Sequence, residues 1–174
     1  AQSQLHRFLN SIGGYTKSVN TYSFAAAEVI IPHIIGHFRD YIYNQTSWKS
    51  VRDDCELFVA FGGVPLKNGQ IGQGGLGRHV QKESILAAHQ NGVEFVSISP
   101  LRSDMIDDVQ AERLQIRPNS DAALMIGICY VLLDEDLQDQ AFLDRYSVGF
   151  EKFVEYLMGS ADGVLKDAYW AAEI

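Results

Sequence analysis

Apolar and polar positions along this chain follow two periods. Leu5, Phe8, Leu9 and Ile12 recur at helical spacing, and Gly13-Gly14 closes the helix they predict. Residues 24–43 read as a second helix, which Pro32 should kink or break. Leu57-Phe58-Val59-Ala60-Phe61 is a continuous apolar run stopped by Gly62-Gly63, as expected of a strand buried in a parallel sheet. Val93 to Ile98 is a second such run, stopped at Ser99-Pro100. Between the two, residues 78–91 have helical character and end at Asn91-Gly92. Strand, helix and strand in that order predict a βαβ unit with the usual right-handed crossover. A weaker strand is expected around 113–116, followed by helices at about 121–134, 138–145 and 149–158. The pattern predicts a three-layer, Rossmann-like α/β arrangement with a mainly parallel sheet, incomplete at its edges.

Composition narrows the class. With 174 residues the chain is one domain or part of one, long enough to bury a core. Its 47% apolar and 21% charged residues are those of a globular protein. A net charge of -8 argues against a nucleic-acid partner, which would call for a basic patch. Cys55 and Cys129 show no metal-ligand spacing and read as reduced core thiols. No apolar stretch reaches bilayer length, the longest being broken by Pro32, His33 and Asp134. No signal sequence is visible and the chain opens on Ala1, so its address stays open, with the cytoplasm slightly favoured over the periplasm.

Candidate chemistry lies in four places. Tyr22-Ser23 precedes the apolar run from Phe24 to Gly36, which puts the Ser23 hydroxyl at the expected helix N-cap, beside unpaired N–H groups. Simple capping and ligation of an electropositive centre are both open to that hydroxyl. Ligands of open α/β sheets sit beyond the carboxyl ends of strands, so the three post-strand loops come next. The first, Gly62 to Asn68, offers glycines for close backbone approach and Lys67 as a point charge for phosphate, or is a plain turn with a solvated lysine. The second, Ile98 to Arg102, has Ser99 where nucleotide-binding folds often carry an acid for ribose. The third, Arg117 to Asp121, leads into a helix that Ser120 or Asp121 would cap.

Three other patterns are discounted. Gly72 to Gly77 satisfies G-x-G-x-x-G but begins eleven residues after Phe61. It therefore lacks the strand-turn-helix context of a dinucleotide site and reads as a loop at the rim. His33 and His37 have a zinc-compatible helical spacing, without a third ligand or the glutamate of H-E-x-x-H. Ser23 as a nucleophile lacks a G-x-S-x-G elbow and an assignable base.

Gly13-Gly14-Tyr15, Tyr22-Ser23, Ile31-Pro32-His33, Thr46-Ser47-Trp48, Pro65-Leu66-Lys67, Arg117 to Gly127 and Asp162-Gly163, in this order, resemble the dimethyl-sulfoxide, trimethylamine-N-oxide and biotin-sulfoxide reductase branch of the molybdopterin oxidoreductases. The resemblance covers nearly the whole chain. It implies an oxygen-atom transfer from an S-oxide or N-oxide to molybdenum held by two molybdopterin guanine dinucleotides, Mo-bis(molybdopterin guanine dinucleotide), with Ser23 as the metal's serine ligand. It also implies that Leu66, Lys67, Asn68, Ile98, Ser99, Asn119, Ser120 and Asp121 contact one guanine dinucleotide. Family members usually carry Asn where Val64 stands and often Asp where Ser99 stands, which weakens those two contacts here. Ser99 to Asp104 and Gly74 to His79 look more like the biotin-sulfoxide members.

The resemblance further implies a middle fragment of a larger enzyme, inactive by itself and completed by the remaining domains of the same protein. Residues 1–50 would be a helical lead-in carrying the metal ligand, and 51–174 the dinucleotide-binding region. The electron donor is not specified. The competing expectation is a stand-alone α/β module that binds a nucleotide without chemistry.

Overall fold

The computed structural model describes residues 2–17, 19, 21, 23–72 and 75–174. By its internal contacts the chain divides into two units, residues 1–47 and 48–174.

The first unit is a series of short helices, α1 (Gln2–Ser11), α2 (Ala25–Ile30) and α3 (Phe38–Tyr43). The single helix expected over 24–43 is broken. Pro32 lies in a 3-10 turn, Ile31–His33, and Gly36 at φ +108° turns the chain before α3. The rings of Phe24 and Phe38 then meet at 5.5 Å, joining the starts of α2 and α3.

The second unit holds the sheet. Helix α4 (Trp48–Asp54) precedes β1 (Leu57–Phe61), a two-residue hairpin of β2 (Ile71–Gly72) and β3 (Gly75–Leu76), α5 (Gln81–Gln90), β4 (Glu94–Ile98) and β5 (Glu112–Leu114). Strands β1, β4 and β5 pair side by side in that order, all parallel. The expected parallel α/β architecture, incomplete at its edges, is therefore what forms. The connection from β4 to β5 carries two 3-10 turns, Arg102–Asp104 and Asp107–Val109, and no α-helix.

Alternation along the strands decides what is buried. Phe58, Ala60 and Phe95 face the core with Ile85 and Ala88 of α5, Val93, Met105 and Val109, and Trp48 of α4 packs against it. Trp48 stacks on Phe58 at 5.5 Å, and Phe58 meets Phe95 at the same distance. Ile85 and Ala88 are wholly buried, so truncating Ile85 would cost about 2–5 kcal/mol. Leu57, Val59 and Leu114, of opposite parity, remain exposed.

Helices α6 (Asp121–Asp134), α7 (Gln140–Tyr146), α8 (Phe150–Leu157) and α9 (Ala168–Glu173) complete the unit. Helices α6 and α9 approach closely at Gly127, where an added Cβ would stand 2.8 Å from the Ala171 methyl. Cys55 and Cys129 are both free thiols, as expected. No helix among the described residues is long and apolar enough to cross a membrane.

Beyond α8 the chain turns on Gly159 at φ +78° and closes over a buried lysine. Lys166 is 2% exposed; its Nζ donates to both Asp162 carboxylate oxygens at 2.5 Å and to the Val164 carbonyl at 2.7 Å. The ammonium also lies 4.0 Å from the centroid of the Tyr156 ring. A buried cation is tolerated only with such partners. The hydrogen bond from Lys166, followed by one from the Val164 N–H, holds the Asp162 carboxyl below its usual value of 3.8. A carboxylate depressed on folding adds stability above its unfolded pKa and loses it as pH falls through the folded value. Thermal melting should therefore show the wild-type midpoint falling as pH drops below about 4, and Asp162→Asn should lower the neutral-pH midpoint and flatten that acid limb.

Candidate functional site

Register brings the strand ends level. Phe61 pairs with Ile98, and Ile98 with Leu114, so the segments after β1, β4 and β5 leave from one edge of the sheet. That edge is where open parallel sheets bind ligands.

In the first loop Gly62 and Gly63 sit at φ +79° and +72°. Gly62 N–H donates to the Ile98 carbonyl at 2.8 Å, and Val64 N–H donates to the Asp104 carbonyl at 2.6 Å. A side chain at position 63 would lie 2.4 Å from that same Asp104 oxygen, so close approach as well as φ demands glycine there. Leu66–Gln70 forms a 3-10 turn, and Gln81 at the start of α5 donates from Nε2 to the Val64 carbonyl at 3.2 Å. Leu66 is partly buried, whereas Lys67 and Asn68 are exposed. Lys67 has no ion pair among the described residues.

In the second loop Ile98 is 2% exposed and its carbonyl is occupied by Gly62, so it fixes the loop from beneath. Ser99 donates its hydroxyl proton to Asp104 Oδ2 at 2.5 Å and accepts from Leu101 N–H at 3.2 Å. Its own N–H donates to the Leu114 carbonyl at 3.1 Å, tying this loop to the end of β5. Beside it opens a cleft of about 300 Å³ whose walls include Ser99, Arg102, Arg113 and Gln115. Arg113 donates to Asp107 at 2.8 Å and to the Arg102 and Met105 carbonyls; Arg102 is more exposed, with a longer 3.3 Å contact to Asp107.

In the third loop Asn119 adopts the left-handed region at φ +71°, which its short polar side chain tolerates. Ser120 occupies the N-cap position of α6, but its hydroxyl donates to the Arg117 carbonyl at 2.7 Å and makes no cap bond. Asp121 opens the helix and places a carboxylate at the positive end of its dipole.

The capping role expected of Ser23 is not found. Phe24 is the N-cap of α2, without a side-chain cap bond, and Ser23 lies in the turn before it. The Ser23 N–H donates to Thr21 Oγ1 at 3.4 Å. Its hydroxyl is exposed and has no partner among the described residues. Tyr22 lies outside the described residues. On α2 one carboxylate oxygen of Glu28 is screened from solvent without a partner among the described residues.

The discounted motifs take other forms. Gly72 and Gly75 pair in the β2–β3 hairpin, and α5 begins only at Gln81; Gln73 and Gly74 lie outside the described residues. His33 falls in the 3-10 turn and His37 caps α3, so they share no helix, and no metal-binding cluster exists among the described residues. A cleft of about 330 Å³ at the opposite, amino edge is lined by His89, Glu94 and Glu112 among others, with no Lys or Arg. The carboxyl edge is the better host for an anion. Sequence reasoning missed Gln81 and Asp104, which brace the first two loops from a distance and carry no motif of their own.

Over 99% of its length the chain is 37% identical to the dimethyl sulfoxide/trimethylamine N-oxide reductase of Cereibacter sphaeroides. Over its whole length it is 37% identical to the biotin sulfoxide reductase of that organism, and 32% identical to the trimethylamine-N-oxide reductase of Haemophilus influenzae. It covers 21%, 23% and 21% of these proteins, respectively, so it spans about a fifth of the length of the curated relatives it matches. No protein-family model matches the chain. Along essentially its whole length the chain is thus similar to one segment of the reductases named for dimethyl sulfoxide, trimethylamine N-oxide and biotin sulfoxide.

Two glycine variants separate backbone strain from close approach in the first loop. Gly62→Ala meets open space and carries only its left-handed backbone penalty, about 1 kcal/mol, whereas Gly63→Ala also collides with Asp104 and should cost about 1–3 kcal/mol more. Urea unfolding of the two variants reads the difference directly.

Proposed function

We propose that the protein carrying this chain reduces an S-oxide or N-oxide with a Mo-bis(molybdopterin guanine dinucleotide) cofactor. In this reading residues 1–50 supply the metal ligand and 51–174 hold one guanine dinucleotide. The observation that carries it is the match along essentially the whole chain to reductases named for dimethyl sulfoxide, trimethylamine N-oxide and biotin sulfoxide.

The residues present fit such a group. A hydroxyl without a partner among the described residues, at Ser23, can lose its proton and ligate a high-valent cation, which lowers the pKa of its ligands. Lys67, without an ion pair among the described residues, suits a phosphate, and Gly62-Gly63 holds its loop close against the strand ends through the N–H groups of Gly62, Gly63 and Val64. Asn119, Ser120 and Asp121 offer polar contacts at the third loop and Ser99 at the second, where Ile98 fixes the loop from beneath, and Leu66 and Asn68 flank Lys67 at the first.

When bound, the cofactor supplies the two-electron oxygen-transfer chemistry. This chain's part is to bind and orient. Ser23 would hold the metal, Lys67 would offset phosphate charge, and the loops of β4 and β5 would fix the nucleoside end. The isolated chain, offering loops for about one dinucleotide, is proposed to be inactive alone.

X-ray absorption on the full-length protein carrying this chain tests the proposal. Ser23→Ala should remove an oxygen ligand from molybdenum and abolish reduction of dimethyl sulfoxide, trimethylamine N-oxide and biotin sulfoxide with a reduced-viologen donor. Lys67→Ala and Asp121→Ala should each lower cofactor content severalfold, read as molybdenum and guanine nucleotide per mole of protein. An unchanged metal shell with full turnover in Ser23→Ala would sink the assignment of the ligand.

A further inference from the structure

We infer that Asp104 is a specificity-determining residue of the carboxyl-edge site, where its carboxylate, presented by Ser99, accepts hydrogen bonds from the vicinal hydroxyls of a ribose. The inference rests on the nucleotide reading above. The strand-end position that carries an acid in many ribose-binding α/β sheets is Ser99 here. The structure brings a carboxylate to the same place by another route.

Asp104 lies between the first two loops. Its carbonyl accepts from Val64 N–H at 2.6 Å, its backbone packs where a Gly63 Cβ would have to be, and its Oδ2 accepts from Ser99 at 2.5 Å. Its Oδ1 has no partner among the described residues, and the side chain is half-buried. Ser99 cannot donate to a ligand, because its proton goes to Asp104 and one lone pair goes to Leu101 N–H. What the pair offers is therefore acceptor only: one remaining lone pair on Ser99 and the open side of a carboxylate. Two adjacent acceptors match the two adjacent hydroxyl donors of a ribose. They repel a phosphate, which Arg102 in the cleft beside Ser99, or Lys67 of the first loop, would take instead.

The test titrates the full-length protein, prepared free of cofactor, with guanosine diphosphate and with its 2′,3′-dideoxy analogue by calorimetry. Wild type should favour the diol-bearing nucleotide by about tenfold. Asp104→Asn should lose that preference while binding the dideoxy analogue as before, and Ser99→Asp in the Asp104→Asn background should restore it. Ser99→Ala, which leaves the carboxylate but removes its support, should reduce the preference severalfold and gives the reading should Asp104→Asn fail to fold. A preference that survives both Asp104→Asn and Ser99→Ala overturns the inference and leaves the nucleotide reading standing. A wild type that binds neither nucleotide overturns that reading and the inference with it.

Discussion

Parallel pairing in one register is the constraint on which the rest depends. Since Phe61, Ile98 and Leu114 end level with one another, three loops distant in sequence start from one edge. Parallel strands cannot be joined by tight turns, so each connection must be long enough to return the chain to the opposite edge. Those connections carry the hairpin, α5 and the 3-10 turns, which brace the loops. Gly62 N–H on the Ile98 carbonyl and Ser99 N–H on the Leu114 carbonyl extend the ladder one step beyond the strands. The loops thus inherit their positions from the sheet, a rigid origin that would suit the proposed dinucleotide site.

Much of this was legible in the sequence because continuous apolar runs bounded by glycine or proline have few alternatives. Leu57–Phe61, Glu94–Ile98 and the α6 helix at Asp121–Asp134 fall where the pattern places them, within a residue. The weak strand expected at 113–116 forms at Glu112–Leu114 instead. Helices α4 and α9, of seven and six residues, are not among those the pattern predicts. Ser23 was misjudged as a cap because Ser before an alanine-rich run is the strongest cap signal available, yet α2 starts two residues later, at Ala25. The role of Asp104 was invisible for a different reason. Its bonds run to Ser99 and Val64, five and forty residues away, and only the folded loops bring them together.

Burial is uneven, and this follows from strand parity. One face of the sheet is packed by α4 and α5 around Ile85, Ala88 and Phe95, while the other carries exposed Leu57, Val59 and Leu114. Helix α6 has the same character. It is apolar on every side, with Gly127 turned to α9 and Met125, Ile128 and Leu132 left exposed. The stability of the sheet rests on its α4–α5 side, where aromatic rings from Trp48, Phe58 and Phe95 form a continuous stack. The buried Lys166 holds the end of α8 in another way, through ionic and ring contacts where apolar packing is thin.

The distribution of charge bears on how an acidic protein could hold an anionic ligand. A net charge of -8 repels phosphates at long range, but at an ionic strength of about 0.15 M such repulsion is screened beyond roughly 8 Å. What matters then is the local arrangement. At the amino edge, Glu94 and Glu112 line the cleft, and the bonds from Arg52 and Lys49 hold the nearby Asp53 carboxyl well below the usual range, so it stays ionised. At the carboxyl edge, Lys67 and Arg102 are exposed, and Asp107 is shared between Arg102 and Arg113. Carboxylates occur at both edges, but only the carboxyl edge adds an exposed lysine without an ion pair among the described residues, Lys67. Asp104 stands at this edge with its charge turned to the Ser99 hydroxyl, and on the inference above that carboxylate would select a neutral diol beside the groups that would receive phosphate.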